Sequence, residues 1–280
     1  MTDPLISTAE LAARFGEPGL RILDASWFLP GVPRDPKAEF LERHIPGAAF
    51  FDLEQISDHA SHLPHMLPTP EAFAEAAGAL GVGDGDAVVT YASDGLVPAA
   101  RAWWMFRAMG FDKVRVLNGG LPQWLSEERP VQSGPTTPSP ARFTARLRPD
   151  LVRSFDAVGD TLATGSAQVI DVRAAGRFRG DAPEPRPGLR AGHMPGATNL
   201  PHSALLSPDG AMLDASDLAA QFAAASIDAD KPVIASCGSG VSACVAALAL
   251  ARLGQWDAAV YDGSWVDWGS RPDAPVVTGS

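Results

Sequence analysis

Short apolar runs alternate along the chain with longer segments in which apolar residues recur at helical spacing. The pattern predicts strand 86–91, helix 98–111 and strand 114–117 in the first half, and strand 232–236, helix 244–254 and strand 258–261 in the second. Apolar strands that alternate with helices are typical of a mostly parallel sheet covered on both faces. We therefore predict an α/β fold, in which ligands bind where strands end and helices begin.

The two halves of the chain repeat each other. Four blocks recur in the same order 144 to 149 residues later, and they begin near Asp24, His44, Asp86 and Val114. Such self-similarity indicates a duplicated domain. A stretch rich in Pro, Ser, Thr and Gly separates the copies. We predict an N-terminal domain over residues 1–133, a linker over 134–148 and a C-terminal domain over 149–280.

The composition of the chain argues against nucleic acid and membranes as partners. The formal net charge is −11 and the pI is about 4.9, and an acidic balance disfavours broad nucleic-acid binding. No apolar stretch approaches the length that spans a bilayer, and the N-terminal segment lacks the features of a secretory signal. Two cysteines seven positions apart cannot form a secreted-type disulfide framework. We expect a cytoplasmic protein that binds neither nucleic acid nor a membrane.

The stretch SCGSGVSAC places Cys237 between a predicted strand and a predicted helix. A free thiol has a pKa near 8.5, which the amides of a helix N-terminus can lower. Gly238 and Gly240 let the loop curl so that its amides can cradle an anion. Cys237 is therefore the candidate nucleophile. Cys244 begins an apolar helix and is expected to be a core residue.

The same loop disfavours a phosphatase. Cysteine-dependent phosphatases carry an arginine six positions after the cysteine, where this chain has Ala243. They also typically have histidine before the cysteine, where this chain has Ser236. A phosphoryl substrate would therefore lack a bidentate partner.

The duplication and the loop together resemble the two-domain rhodanese family and, within it, the 3-mercaptopyruvate sulfurtransferases. The motifs that carry the likeness are HIPGAAFFDLE, HMLP, WWMFRAMG, GRFRG, PEPRPG, GHMPGA, CGSGVSA and YDGSWVDW. The resemblance implies two tandem rhodanese-like domains, each a mostly parallel sheet flanked by helices. It also implies sulfur transfer from 3-mercaptopyruvate to a thiol or cyanide through a Cys237 persulfide, with release of pyruvate and no cofactor or metal.

Two arginines are implied to bind the donor. Arg177 and Arg186 match the family's substrate-binding arginines and lie in a Pro- and Gly-rich cluster of arginines. Arginine suits a donor that carries a carboxylate and a ketone. We expect other members of the cluster to pair on the surface with the carboxylates of Asp171, Asp181 or Glu184.

The resemblance also implies a proton relay and an anion cradle. His65 of HMLP is implied to work with Ser239 and with either Asp52 or Glu54. The loop residues expected to hold the charged sulfur are Gly238, Gly240, Val241 and Ser242. Other histidines are not assigned to chemistry. His44 and His193 occur in both copies, which suggests a structural role, and the cluster 59–65 lacks partners for a metal.

Two other functions stay open, and the phosphatase disfavoured above is a third. The protein could be a thiosulfate sulfurtransferase, although that class typically has a basic loop such as CRKGVT. It could instead be a non-catalytic persulfide carrier. The acceptor could be a small thiol or, by family resemblance, a thioredoxin-like protein. The first copy has Ala92 opposite Cys237 and is not expected to do thiol chemistry.

Overall fold

The computed structural model describes residues 3–279, which form two compact units. The first unit runs to His59 and includes Leu67–Arg148 and Pro208–Met212. The second contains Ala60–Met66, Pro149–Ser207 and the chain from Leu213 onward. Two short segments are therefore exchanged, and one of them, Ala60–Met66, carries His65 into the second unit.

The first unit is built on a five-stranded parallel sheet with the strand order β1-β5-β4-β2-β3. Its strands are β1 (Leu5–Ile6), β2 (Leu20–Asp24), β3 (Ala49–Phe50), β4 (Ala87–Tyr91) and β5 (Val114–Leu117). The central strand β4 is buried from Val88 onward, as its unbroken apolar run predicts.

Helices connect these strands. They are α1 (Thr8–Ala13), α2 (Pro36–Glu42), α3 (Pro70–Ala79), α4 (Val97–Ala108) and α5 (Gly120–Ser126). Side-chain oxygens fix the starts of the first three, because Ser7, Asp35 and Thr69 each accept a hydrogen bond from an N–H of the first turn.

The second unit repeats this sheet with the order β6-β10-β9-β7-β8. Its strands are β6 (Val152–Arg153), β7 (Gln168–Asp171), β8 (Thr198–Asn199), β9 (Val233–Ser236) and β10 (Ala259–Tyr261). All strand pairs within both sheets are parallel. The predicted fold of two tandem α/β domains is confirmed.

The helices of the second unit follow the same order along the chain. They are α6 (Phe155–Thr164), α7 (Ala175–Arg179), α8 (Ala215–Ala224), α9 (Ala243–Arg252) and α10 (Ser264–Trp268), with 3-10 helices at Pro149–Leu151 and His202–Leu205. Helix α9 is buried from Ala243 to Ala251, which matches its continuous apolar sequence. In the part of the chain that the structure describes, no helix has the length and apolar character needed to cross a membrane.

The strand register shows which residues of the two units occupy equivalent positions. Asp24 lies opposite Tyr91 in the first sheet, and Asp171 lies opposite Ser236 in the second. The next residues along β4 and β9, Ala92 and Cys237, therefore occupy equivalent positions.

Residues 134–148 lie with the first unit. The Ala141 N–H donates to the Gly78 carbonyl and the Arg146 N–H to the Met109 carbonyl. The Phe143 ring is buried against Phe73 and Phe106, at centroid distances of 5.8 Å each. This irregular segment is held by its own hydrogen bonds and by one aromatic anchor.

The repeated histidines have the same structural role in both units. The His44 ring stacks on Phe40, with centroids 4.1 Å apart, and its Nδ1 lies 2.7 Å from the Phe40 carbonyl. The His193 ring stacks on Phe178 at 3.6 Å, and its Nδ1 lies 2.8 Å from the Phe178 carbonyl. Each ring ties the start of its repeated block to an earlier helix, α2 or α7, which agrees with the structural role that the sequence suggests.

Candidate active site

Cys237 follows the last residue of β9 and begins the loop that leads into α9. The residue is 1% exposed, whereas Gly238 and Ser242 in the same loop are partly exposed. The thiol therefore lies at the bottom of the loop, not at its outer rim.

The loop differs from its counterpart in the first unit in how it turns and where the helix begins. Six residues lie between β9 and the start of α9 at Ala243, and five lie between β4 and the start of α4 at Val97. The loop of the first unit closes on itself through a bridge between Ala92 and Gly95. The loop of the second unit turns at Gly240, whose φ of +78° is readily adopted by glycine.

Two backbone amides of the loop after Cys237 are available to an anion. Within residues 3–279, the N–H groups of Ser239 and Val241 donate to no protein acceptor. The carbonyls of Cys237 and Gly238 instead accept hydrogen bonds from the first turn of α10, at 3.0 and 2.9 Å. N–H groups that lack a protein acceptor at a helix N-terminus favour the binding of a negative charge.

Ser264 holds Cys237 and was not anticipated from the sequence. Its hydroxyl accepts a hydrogen bond from the Cys237 N–H at 3.0 Å and lies 3.9 Å from the Cys237 sulfur. It also donates to the Tyr261 carbonyl at 2.8 Å. The equivalent residue of the first unit is Gly120, so the difference between the two copies is the signal that could have identified it.

Arg177 contacts the cysteine loop. A Cβ added to Gly238 would lie 3.1 Å from Nη2 of Arg177 and 4.0 Å from its Nη1. The arginine comes from α7, which begins directly after the turn that follows β7. Its side chain is 21% exposed, so part of it remains accessible to solvent.

A buried network of ion pairs holds Arg177 in place. Glu184 accepts from Nη2 of Arg177 at 2.5 Å and from Nη1 of Arg173 at 2.7 Å. Arg173 also forms a two-point ion pair with Asp171 and lies 4.2 Å over the Trp265 ring. The expectation that Asp171 and Glu184 pair on the surface is wrong, because their side chains are 0% and 3% exposed.

A surface pair does occur at Arg179 and Asp181, whose side chains are 44% and 61% exposed. Its nitrogen–oxygen distance is 2.7 Å. Ion pairs with this exposure contribute at most about 1 kcal/mol to stability.

His65 and Arg186 meet within the second unit. Nη2 of Arg186 lies 3.1 Å from Nε2 of His65, which is 3% exposed. Because arginine can only donate, Nε2 of His65 is the acceptor in this hydrogen bond. The φ of His65 is +61°, a left-handed conformation that costs a non-glycine residue about 1 kcal/mol or more.

The hydroxyl of Ser239 makes no hydrogen bond to protein among residues 3–279, and the residue is 5% exposed. Asp52 and Glu54 lie in the first unit. Asp52 accepts from the Gln55 N–H at 3.2 Å, and Glu54 accepts from Nε1 of Trp27 at 2.7 Å. The structure thus brings His65 to Arg186 and does not form a hydrogen bond between His65 and Ser239.

His202 is a second neighbour of Arg177 that sequence reasoning missed. Burial lowers the pKa of its imidazole below 6.5, and the positive charge of Arg177 lowers that pKa further. Its Nδ1 lies 3.2 Å from the Val172 carbonyl. His202 is therefore a neutral side chain beside the arginine.

Cys244 and Trp265 belong to the core. The Cys244 thiol is 0% exposed and donates to the Gly240 carbonyl at 3.3 Å. The Trp265 ring is also 0% exposed, and its Nε1 donates to the Arg190 carbonyl. Among the described residues, no cluster of His, Cys, Asp or Glu could hold a metal ion.

Known proteins match both units. The family model described as the rhodanese-like domain matches residues 7–127 and 154–271. Human 3-mercaptopyruvate sulfurtransferase is 47% identical over 278 residues, which cover 98% of this chain and 93% of that protein. The thiosulfate/3-mercaptopyruvate sulfurtransferase 1 of Arabidopsis thaliana is 43% identical over 296 residues, covering 98% of this chain and 78% of that protein.

The crystal structure of SseA, a 3-mercaptopyruvate sulfotransferase from Escherichia coli, superposes on this chain with a TM-score of 0.86. It is 40% identical in sequence, and the match covers 94% of this chain and 99% of that one. With two matched segments, a shared fold and this identity over nearly its whole length, the chain belongs to the family of rhodanese-like proteins.

Proposed function

We propose that the protein is a 3-mercaptopyruvate sulfurtransferase that carries the transferred sulfur as a persulfide on Cys237. The observation that carries this proposal is the juxtaposition of one cysteine, undonated loop amides and the Arg177 guanidinium beside Gly238. The human and Escherichia coli relatives bear the same activity in their names.

Two guanidinium groups suit the donor. 3-Mercaptopyruvate carries a carboxylate and a ketone next to the carbon that bears its sulfur. Arg177 offers its Nη1 side from the edge of the cysteine loop, and Arg186 lies beside His65. Charge-assisted hydrogen bonds from these two groups would hold the pyruvyl end and direct its sulfur toward Cys237.

The chemical step is a displacement at sulfur. The Cys237 thiolate attacks the donor sulfur, a sulfur–sulfur bond forms and the donor carbon–sulfur bond breaks. The bonding pair leaves as the enolate of pyruvate, which the arginines stabilise as negative charge develops. The proton that the donor thiol carried moves to the enolate carbon, so that pyruvate and a Cys237 persulfide anion result.

The loop then holds the outer sulfur. The amides of Gly238, Gly240, Val241 and Ser242 form the proposed cradle for the persulfide charge. A small thiol, cyanide or a thioredoxin-like protein attacks the outer sulfur and restores the Cys237 thiolate. The reaction is therefore expected to show ping-pong kinetics, and a free thiol nucleophile suits a reducing compartment such as the cytoplasm.

His65 and Ser239 are proposed to manage the proton. Nε2 of His65 is engaged by Arg186 in this structure. When a donor carboxylate takes the hydrogen bond of Arg186, Nε2 is released and can accept a proton from Ser239 or from the donor thiol.

Thiosulfate is the second candidate donor, because the Arabidopsis relative is named for both donors. The loop CGSGVSA carries no basic side chain to balance a dianion, which favours 3-mercaptopyruvate. Paired measurements of kcat/KM with the two donors decide between them, and a larger value for thiosulfate would reverse the assignment.

A Cys237→Ser variant tests the persulfide directly. We expect intact-mass spectrometry after addition of 3-mercaptopyruvate to show one added sulfur atom in the native protein and none in the variant. Cys244→Ser is the matched control, since Cys244 is a core residue, and it should still gain the sulfur. A persulfide on Cys237→Ser would refute the assignment of the nucleophile.

A further inference from the structure

Glu184 occupies one edge of the arginine that contacts the cysteine loop. Its Oε2 accepts from Nη2 of Arg177 at 2.5 Å and from Nε at 3.2 Å. The remaining edge of the guanidinium, formed by Nη1 and the other Nη2 hydrogen, is the one nearest Gly238. Glu184 therefore fixes the direction in which Arg177 can donate.

Glu184 also cancels the charge of Arg177. The buried network holds two carboxylates, Asp171 and Glu184, and two guanidinium groups, Arg173 and Arg177. Its formal charges sum to zero. The Glu184 side chain is 3% exposed, so water screens this cancellation weakly.

We propose that Glu184 is a specificity-determining residue that selects for a sulfur donor with one negative charge over a donor with two. This inference rests on the proposed sulfur transfer. Arg177 keeps the hydrogen-bond geometry that a carboxylate needs, but its pair with Glu184 adds little net positive charge next to Cys237. A dianion such as thiosulfate gains less from this environment than it would from an uncompensated arginine.

The isosteric variant Glu184→Gln removes the negative charge and keeps an oxygen that can accept from both arginines. We expect the ratio of kcat/KM for thiosulfate to kcat/KM for 3-mercaptopyruvate to rise by about tenfold. This is the size expected when one additional donor charge meets one additional protein charge about 6 Å away, with screening between that of water and that of a protein surface.

Two control variants separate the effect of the Glu184 charge from the effect of its position and from the effect of the protein's overall charge. Glu184→Asp keeps the charge with a shorter reach, so KM should rise for both donors while their ratio stays within about twofold of the native value. Asp181→Asn removes the same charge from the same loop at an exposed pair with Arg179. Its ratio should also stay within about twofold, because water screens that position.

Arg177→Gln should change the ratio of the two kcat/KM values in the opposite direction. This test does not depend on whether the Glu184 variants fold. Here Glu184 keeps its bond to Arg173, and the site loses a positive charge. Both donors should react more slowly, and the ratio should fall below the native value by about tenfold.

The outcomes distinguish this inference from the proposed function. If the native protein forms no persulfide from 3-mercaptopyruvate, the proposed function fails. If it does, a ratio unchanged in both Glu184→Gln and Arg177→Gln overturns the role of Glu184 and leaves the proposed function intact. An equal rise in Asp181→Asn would also overturn it, since the effect would then be one of overall charge.

Discussion

A serine stands beside Cys237 where the other copy of the fold has a glycine. Ser264 has a φ of +50°, close to the +58° of Gly120, yet a side chain in this region costs about 1–2 kcal/mol. The cost is offset by the hydrogen bonds of the hydroxyl with the Cys237 N–H and the Tyr261 carbonyl. Strain retained beside a nucleophile indicates a role in holding that nucleophile.

Two substitutions at this position separate the strain from the hydrogen bond. Ser264→Ala loses the hydroxyl and keeps the strain, whereas Ser264→Gly loses both. We therefore expect the free energy of unfolding in urea to be about 1 kcal/mol higher for Ser264→Gly than for Ser264→Ala. The rate of persulfide formation should fall to a similar extent in both variants. A Ser264→Gly protein that reacts at the native rate would contradict the role of the hydroxyl.

Among the structural elements, the turn after β4 is closed by the Ala92–Gly95 bridge, and Gly120 packs tightly against its carbonyl groups. A Cβ at Gly120 would lie 2.7 Å from the Ala92 carbonyl oxygen and would also clash with the Gly95 carbonyl. The sequence predicted the strands and helices around this turn because apolar periodicity marks them. It did not predict the turn itself, because its geometry depends on backbone approach between segments far apart in the chain.

Gly120→Ala should consequently destabilise the first unit. Both the left-handed φ and the contact with two carbonyls oppose the new methyl group, so we expect a loss of about 3 kcal/mol or more in the free energy of unfolding. Gly159→Ala is the matched control, since α6 leaves open space around Gly159. Alanine should stabilise that helix by about 0.5–1 kcal/mol. Equal effects at the two sites in chemical denaturation would contradict this account.

The 3-10 helix that begins at His202 gives the fold a pH dependence. The lowered pKa means that the folded protein binds fewer protons at this site than the unfolded chain does. His202 therefore costs no stability well above pH 6.5 and destabilises the fold as the pH falls through that value.

Urea unfolding at pH 7.5 and pH 5.5 tests this dependence. His202→Asn, which retains an N–H donor for the Val172 carbonyl, should lose less stability between these two pH values than the native protein loses. Identical losses in the two proteins would rule out His202 as a source of the pH dependence.

At the scale of the whole molecule, the duplicated sequence blocks were enough to predict two parallel α/β sheets. Cys237 could be found because a strand–loop–helix context and two glycines mark it locally. The buried pairing of Glu184 with Arg173 and Arg177 could not be found, because acidic residues in a Pro-rich loop look like surface residues until the fold covers them. Nor could the sequence show that His65 lies with the second unit, because that placement follows from packing.

The closed turn between β4 and α4 has a consequence for any attempt to place a thiol in the first copy. Ala92→Cys alone would put a sulfur at the equivalent site of the first copy, but the Ala92–Gly95 bridge would leave its neighbouring amides in a closed turn. Recovery of reactivity there would also require that this turn open so that its amides can face the sulfur. A single substitution at Ala92 is therefore not expected to create a second reactive centre.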